Sequence, residues 1–371
     1  MIFHRIKSIE QENNIEMKRG KSMKRKGLAL GIILLFVGTC IIPAIAQDIE
    51  KTSQPALRGN WLYVGGSGPG NYTKIQDAVN ASSDGDTVFV FDDSSPYCEE
   101  ITIEKSINLI GENHDTIIDG MNDMGDGIEV HHEVSYITIS CFSIINFDGI
   151  GIVVYGNNVI ISNIHFINNR YGLFLVETKN NIISNNLFKN CHWCGLYLRD
   201  VSHCVISQNE ITGSKDGIYF DIPCSDNTIS NNEIINNING IYFYAYHFNL
   251  YNRYDWGESI KNTIVQYNNI TDNSIGINIF GKFKNSVIKN NNFIENNISV
   301  SYKTFLFQRF RINANFWGET ELSYKVLPGY YSIYLYTKGY PGEHTAPKPV
   351  FLYIPKKIFD WHPAQEPYDV P

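Results

Sequence analysis

Charge is scarce in this chain, and positive charge is scarcest. Asp, Glu, Lys and Arg together make up 18% of its 371 residues. Eight of the 30 Lys and Arg crowd into residues 1–46, against three of the 38 Asp and Glu. The rest holds 22 basic and 35 acidic residues, a net charge of −13. Such a surface repels nucleic-acid phosphates, so no nucleic-acid partner is expected. No phosphate-cradling loop, nucleotide fingerprint or Ser-His-Asp order is present. Beyond residue 46, no apolar run reaches the roughly ten residues that a helical hairpin needs. The Leu-x-x-Leu-x-Leu frame of leucine-rich repeats is missing as well.

What is present is a repeat of 22–23 residues. Asn158-Val159-Ile160-Ile161 leads to Gly172-Leu173-Phe174-Leu175, Asn181-Ile182-Ile183 to Gly195-Leu196-Tyr197-Leu198, and Asn227-Thr228-Ile229 to Gly240-Ile241-Tyr242-Phe243. The apolar runs are short, β-prone, and separated by Asn, Ser, Gly and Asp, which favour turns. This pattern predicts an all-β fold: a single-stranded right-handed parallel β-helix in which each repeat forms one coil. A column of glycines falls at Gly127, Gly151, Gly172, Gly195, Gly217, Gly240 and Gly276, and Ser299 stands at the next place. Eight or nine coils follow from it. The wide last gap places an insertion at Tyr246–Ser259. Two asparagine columns are expected inside the coils: Asn158, Asn181, Cys204, Asn227, Asn262 and Asn285, and Asn163, Asn186, Asn209, Asn232, Asn268 and Asn291. Buried amides of this kind satisfy one another up and down a stack.

The ends differ from the middle. Residues 1–22 read as an upstream, misassigned start. Residues 23–46 carry Lys24, Arg25 and Lys26, an apolar run from Gly27 to Ile42, and Ala44-Ile45-Ala46, the order of a secretory signal peptide. With the signal removed, no transmembrane span is expected, and the protein belongs outside the cell, on its surface or in a periplasmic-type space. Residues 47–60 read as a linker. Residues 61–100 read as an N-terminal cap, with a strand at Trp61–Val64 and an amphipathic helix at Tyr72–Ala81 that covers the open first coil. Coils are assigned to 101–309, and the aromatic, Pro-rich residues 310–371 to a C-terminal cap or tail. Six cysteines remain after residue 46, and an even number in an exported protein allows pairing.

Several segments resemble a known family. Ile75-Gln76-Asp77-Ala78-Val79, Gly85-Asp86-Thr87-Val88-Phe89-Val90, Ile101-Thr102-Ile103-Glu104-Lys105 and Thr116-Ile117-Ile118-Asp119-Gly120 resemble the N-terminal coils of exported parallel β-helix proteins of the pectin-lyase-like superfamily. The NosD-like family is the nearest group. Asn315-Phe316-Trp317-Gly318 is similar to the Asn-Tyr-Trp-Gly that closes such solenoids, and Ile358-Phe359-Asp360-Trp361-His362-Pro363-Ala364 resembles the end of archaeal surface proteins of this type. The resemblance implies fold and export. It also brings in copper handling, the role for which the family is named.

Three sets of residues could carry chemistry. If Leu173, Leu196, Ile218 and Ile241 point inward, then Phe174, Tyr197, Tyr219 and Tyr242 point outward on four successive coils. Val176, Arg199, Asp221 and Tyr244 follow on the same face. Rings repeating every ~4.8 Å suit an extended glycan, with Arg199 and Asp221 as polar flanks. The expected partner is therefore a polysaccharide or glycoprotein surface. The insertion aromatics Tyr246, Phe248, Tyr251, Tyr254 and Trp256, or the tail, could instead cover the strip. Second, Glu177, Asp200 and Asp221 are candidate carboxylates for Ca²⁺ or for acid/base cleavage of a glycan. The Gly-His-Gly of polygalacturonase-type relatives is absent, and Asp92-Asp93 precedes the coils. Third, Cys191, His192, Cys194, His203 and Cys204 are candidate soft ligands for copper or Zn²⁺, with His131-His132-Glu133 as a further group. A non-catalytic glycan-binding or envelope role with no required cofactor is the expectation. A polysaccharide lyase or hydrolase, and a copper-handling protein, are the alternatives.

Overall fold

The computed structural model describes residues 59–121, 125–245, 259–305, 310–318, 325–336, 349–360 and 363–370. The expected signal peptide, all of the linker but Gly59 and Asn60, and most of the Tyr246–Ser259 insertion, with its five aromatic residues, lie outside the described residues.

One coil explains the rest. Asn180 has φ 60°, Asn185 57°, Asn190 55° and Asp200 52°. Each is a left-handed corner, and after each corner an inward residue follows: Asn181, Asn186, Cys191 and Val201, all buried. Between corners run the strands Ile182–Ser184, Leu187–Lys189 and Cys194–Arg199. The left-handed conformation costs most L-residues roughly 1–2 kcal/mol, and Asn and Asp adopt it most readily. An Asn-Asn pair therefore does two jobs. The first residue turns the chain, and the second enters the interior.

Stacking these coils gives, among the described residues, a parallel sheet system of 17 strands, a second of 11 and a small one of three. The turns number about ten. The glycine column gives fewer because the stack extends past both of its ends. Trp61–Val64 already pairs in parallel with Thr87–Val90, and Lys303–Phe305 pairs with Tyr330–Ser332. The strand Lys325–Tyr336 then folds back antiparallel onto Pro349–Asp360. At the other end the helix Ile75–Ala81 buries Ile75, Ala78 and Val79. The Glu99 carboxylate accepts the Ile75 and Gln76 N–H groups at its start.

The interior is a set of columns. Leu173, Leu196, Ile218, Ile241 and Ile277 are fully buried and in register. Each such side chain contributes roughly 1.5–3 kcal/mol by leaving water. The column glycines are needed for close approach. A Cβ on Gly195 would lie 2.8 Å from the Gly217 carbonyl oxygen, and one on Gly276 would lie 2.6 Å from that of Ser299.

The second asparagine column is a hydrogen-bond ladder. Both the backbone N–H and the side-chain amide of Asn209 donate to Asn232 Oδ1, at 3.0 and 2.9 Å. The same pattern links Asn186 to Asn209, Asn232 to Asn268, Asn268 to Asn291 and Asn291 to Asn315. Asp360, fully buried, ends it by accepting the Ala314 and Asn315 N–H groups and the Trp317 indole.

Four points differ from the reading of the sequence. Asn158, Asn163, Asn262 and Asn285 are left-handed corners, and the inward places beside them belong to Val159, Ile164, Thr263 and Ser286. Asn315 extends the second column. A third ladder runs through Asn237, Asn273 and Asn296. The six cysteines from Cys98 to Cys224 are all free thiols.

Candidate functional site

The outward face of the 11-stranded sheet carries the aromatic column. Phe174, Tyr197, Tyr219 and Tyr242 are cross-strand partners on successive strands. Phe174 and Tyr197 stack at 4.1 Å and 9°, and Tyr197 and Tyr219 at 5.0 Å and 12°. Tyr242 turns edge-on to Tyr219, at 5.2 Å and 85°. The rung spacing is close to the contact distance of two aromatic planes, so neighbouring rings cover each other's faces. The rings are half-buried, not fully exposed. The column is a ridge of ring edges and hydroxyls where the repeat alone implied open ring faces. Tyr171 packs edge-on against both Phe174 and Tyr197, and Tyr244 stacks on Phe280 at 5.7 Å. Tyr171 and Phe280 add to the ridge without having been singled out by the repeat.

The hydroxyls stay protonated. Burial, then the neighbouring Asp221 carboxylate, pushes the Tyr197 phenol well above its usual range. Tyr219 is raised by the same two causes, and Tyr242 is pushed up to about 12 by burial and Tyr244. Tyr197 donates its hydroxyl to Asp221 Oδ2 at 2.9 Å, and the Ile222 N–H donates to Asp221 Oδ1.

The flanking column holds Val176, Arg199, Asp221 and Tyr244 in register. Val176 is buried and Arg199 exposed. Glu177 and Asp200 lie one residue beyond, as left-handed corners of adjacent coils, with φ 53° and 52°. Burial and the Glu177 charge raise the Asp200 carboxyl. Asp221 stands in the column before theirs, with both oxygens engaged, so the three carboxylates do not form one row.

The soft-ligand candidates are dispersed. Cys191 and Cys204 are buried at two different corners. Their thiols are pushed up to about 12 by burial, which keeps them protonated and poor as metal ligands. Cys194 is buried beneath the sheet, and its thiol donates to the Leu196 carbonyl. His192 and His203 point outward. The His131 and His132 rings lie 4.1 Å apart, and His132 Nε2 is 3.8 Å from Glu133. Among the described residues, no three His, Cys, Asp or Glu side chains come together as a metal site requires. These residues do not fit a copper centre.

The fold and this face define a parallel β-helix protein of the right-handed type. The family model described as periplasmic copper-binding protein (NosD) matches residues 79–332, so the chain belongs to the NosD family. No curated protein matches the sequence significantly. Among solved structures the chain is similar to the Dettilon tailspike protein (gp208), at 12% identity over 75% of this chain and 74% of that one, with a TM-score of 0.47. It is similar to the periplasmic alginate epimerase AlgG, at 14% identity over 62% of this chain and 57% of that one, with a TM-score of 0.41. The A-module of the Azotobacter vinelandii mannuronan C-5 epimerase AlgE4 matches at 14% identity over 64% and 89%, with a TM-score of 0.33. Among the described residues, no helix is long and apolar enough to cross a membrane.

Proposed function

We propose that this protein is an exported, non-catalytic binder of polysaccharide, acting outside the cell or at its surface. The observation that carries the reading is the ridge itself. Rings on four consecutive coils follow one another at 4.1, 5.0 and 5.2 Å, and they remain half-exposed on the outward face of the 11-stranded sheet. A contiguous aromatic surface of this kind on a soluble protein marks an interaction site. Tyrosine edges suit a sugar chain, with apolar carbon toward the C–H groups and protonated hydroxyls toward the O–H groups. Arg199, exposed beside the ridge, adds a charged donor. The acidic balance of the chain argues against nucleic acid as the polymer.

The test is retention on polysaccharide columns, with parallel assay of the eluted polymer. The wild type is retained, and the triple variant Tyr197→Ala, Tyr219→Ala, Tyr242→Ala is not. Equal retention would remove the ridge as the binding surface. A catalytic reading, as glycoside hydrolase or polysaccharide lyase, rests on one observation, the raised Asp200 carboxyl beside Glu177. It requires new reducing ends or unsaturated products, and the non-catalytic reading expects neither across a panel of glycans.

A further inference from the structure

Beside the ridge, the corner that precedes the 11-stranded sheet opens into a cleft of about 550 Å³. Its walls come from four successive coils, with Gly120 and Met121 on the one below the three that matter here. Asn146 and Asp148 belong to the first, Asn168 and Arg170 to the second, His192 and Trp193 to the third. The Arg170 N–H donates to the Phe147 carbonyl, and the Trp193 N–H to the Arg170 carbonyl, which holds the three corners in one column. Trp193 is 43% exposed, an unusual state for so large a ring. Lys215 Nζ lies 4.3 Å from the centroid of the indole and occupies part of one face.

We propose that this cleft binds one sugar unit bearing a carboxylate, with Trp193 as its platform and Arg170 as its anion partner. The size is that of a small-molecule site. The ridge covers its own ring faces, whereas Trp193 leaves indole surface open to the cleft. A pyranose lays its C–H face on such a ring. The guanidinium of Arg170 is exposed and, among the described residues, makes neither an ion pair nor a side-chain hydrogen bond. A planar fork of donors of this kind matches a carboxylate. Asp148 is equally unpartnered among the described residues and accepts a sugar hydroxyl. Arg170 in the cleft and Lys215 over the indole bring two cations to a site with the single carboxylate of Asp148, in a chain whose overall balance is acidic. That local reversal of charge selects an acidic sugar over a neutral one. Arg170 is followed directly by Tyr171, whose ring touches Phe174 and Tyr197, so the cleft adjoins the ridge. The proposal rests on the reading of this protein as a glycan binder, and it uses different residues.

The test is calorimetric titration of the whole chain with glucuronic acid and, separately, with glucose. The wild type binds glucuronate more tightly than glucose. Arg170→Gln lowers glucuronate affinity about tenfold or more and brings it level with glucose, the size expected for losing a charged hydrogen-bonded pair. Trp193→Ala abolishes binding of both sugars, and Trp193→Tyr restores part of it, which separates loss of the platform from loss of the fold. The ridge triple variant keeps glucuronate binding. No glucuronate binding by the wild type, or unchanged binding by Trp193→Ala, overturns the site. Equal affinity for the two sugars, or no effect of Arg170→Gln, overturns the acidic assignment. Glucuronate binding by a protein that no polysaccharide column retains would sink the ridge and leave the cleft standing.

Discussion

The inner corners and the outward face of the 11-stranded sheet are built from the same repeat, and they use it in opposite ways. At the corners, Asn186, Asn209, Asn232, Asn268 and Asn291 repeat one residue, one burial and one pair of hydrogen bonds for coil after coil. Nothing is left over for a ligand. On the outer face, the register that carries Phe174, Tyr197, Tyr219 and Tyr242 continues into Asn278 and Ser301. The neighbouring register passes from Val176 through Arg199 and Asp221 to Tyr244. Uniform columns serve the scaffold because every rung must satisfy the next. Columns that change residue from rung to rung are free of that duty, and there the chain can acquire specificity.

Several measurements would break or sharpen this contrast. The largest effect concerns the interior thiols. With their pKa pushed to about 12, Cys191 and Cys204 react with a thiol reagent at neutral pH about a thousandfold more slowly than an ordinary cysteine, whereas exposed Cys98 reacts promptly. Mass mapping of a short alkylation reads this directly. Asn232→Ala strands the Asn209 backbone N–H and takes the side-chain donor away from the Ile206 and Ser230 carbonyls, at a cost on the order of 3 kcal/mol in urea unfolding. Its neighbour Asn231, a corner with φ 56°, costs only about 1 kcal/mol as alanine. Gly195→Ala forces a Cβ against the Gly217 carbonyl oxygen and costs roughly 1–3 kcal/mol. Tyr197→Phe keeps the ring stack and deletes the hydroxyl given to Asp221, at about 1 kcal/mol.

The smallest effect belongs to Asp200, which is exposed and well screened. Its carboxyl is raised in the folded chain, so its contribution to stability is fully present below the ordinary value of 3.8 and is lost as pH rises through the raised one. Asp200→Asn is therefore slightly more stable than wild type at pH 7, and the pH-dependent part of that gain disappears below pH 3.8. Melting curves at the two pH values check the sign.

Much of the fold was legible because period and register are one-dimensional properties. The glycine column placed Leu173, Leu196, Ile218 and Ile241 inward, and the pairing of Phe174 with Tyr197, Tyr219 and Tyr242 followed. The asparagines were harder. In Asn180-Asn181 or Asn231-Asn232, one residue turns the chain and the next is buried, and composition treats both alike. Where the inward member is Val159, Thr263 or Ser286, only the corner asparagine catches the eye, and it draws the column one residue out of place. The third ladder escaped because Cys191 and Ser214 stand at two of its rungs. Ring stacking was hidden as well, since a period gives the spacing of the rings and not their rotamers. Trp193 carries no repeat signal at all. It lay inside the Cys191–Cys194 segment, where thiol and imidazole ligands drew attention, yet the chain packs the cysteines inward and leaves the indole outside.

Affinity electrophoresis in polysaccharide-loaded gels puts the contrast between scaffold and site to its most direct test. Three forms would be compared: wild type, the Tyr197, Tyr219 and Tyr242 alanine variant, and Glu210→Gln with Glu233→Gln on the exposed face of the 17-stranded sheet. The account predicts that at least one acidic polysaccharide retards the wild type and the glutamine variant equally, and that the alanine variant runs free. Equal retardation of all three, or loss of retardation only in the glutamine variant, would contradict it.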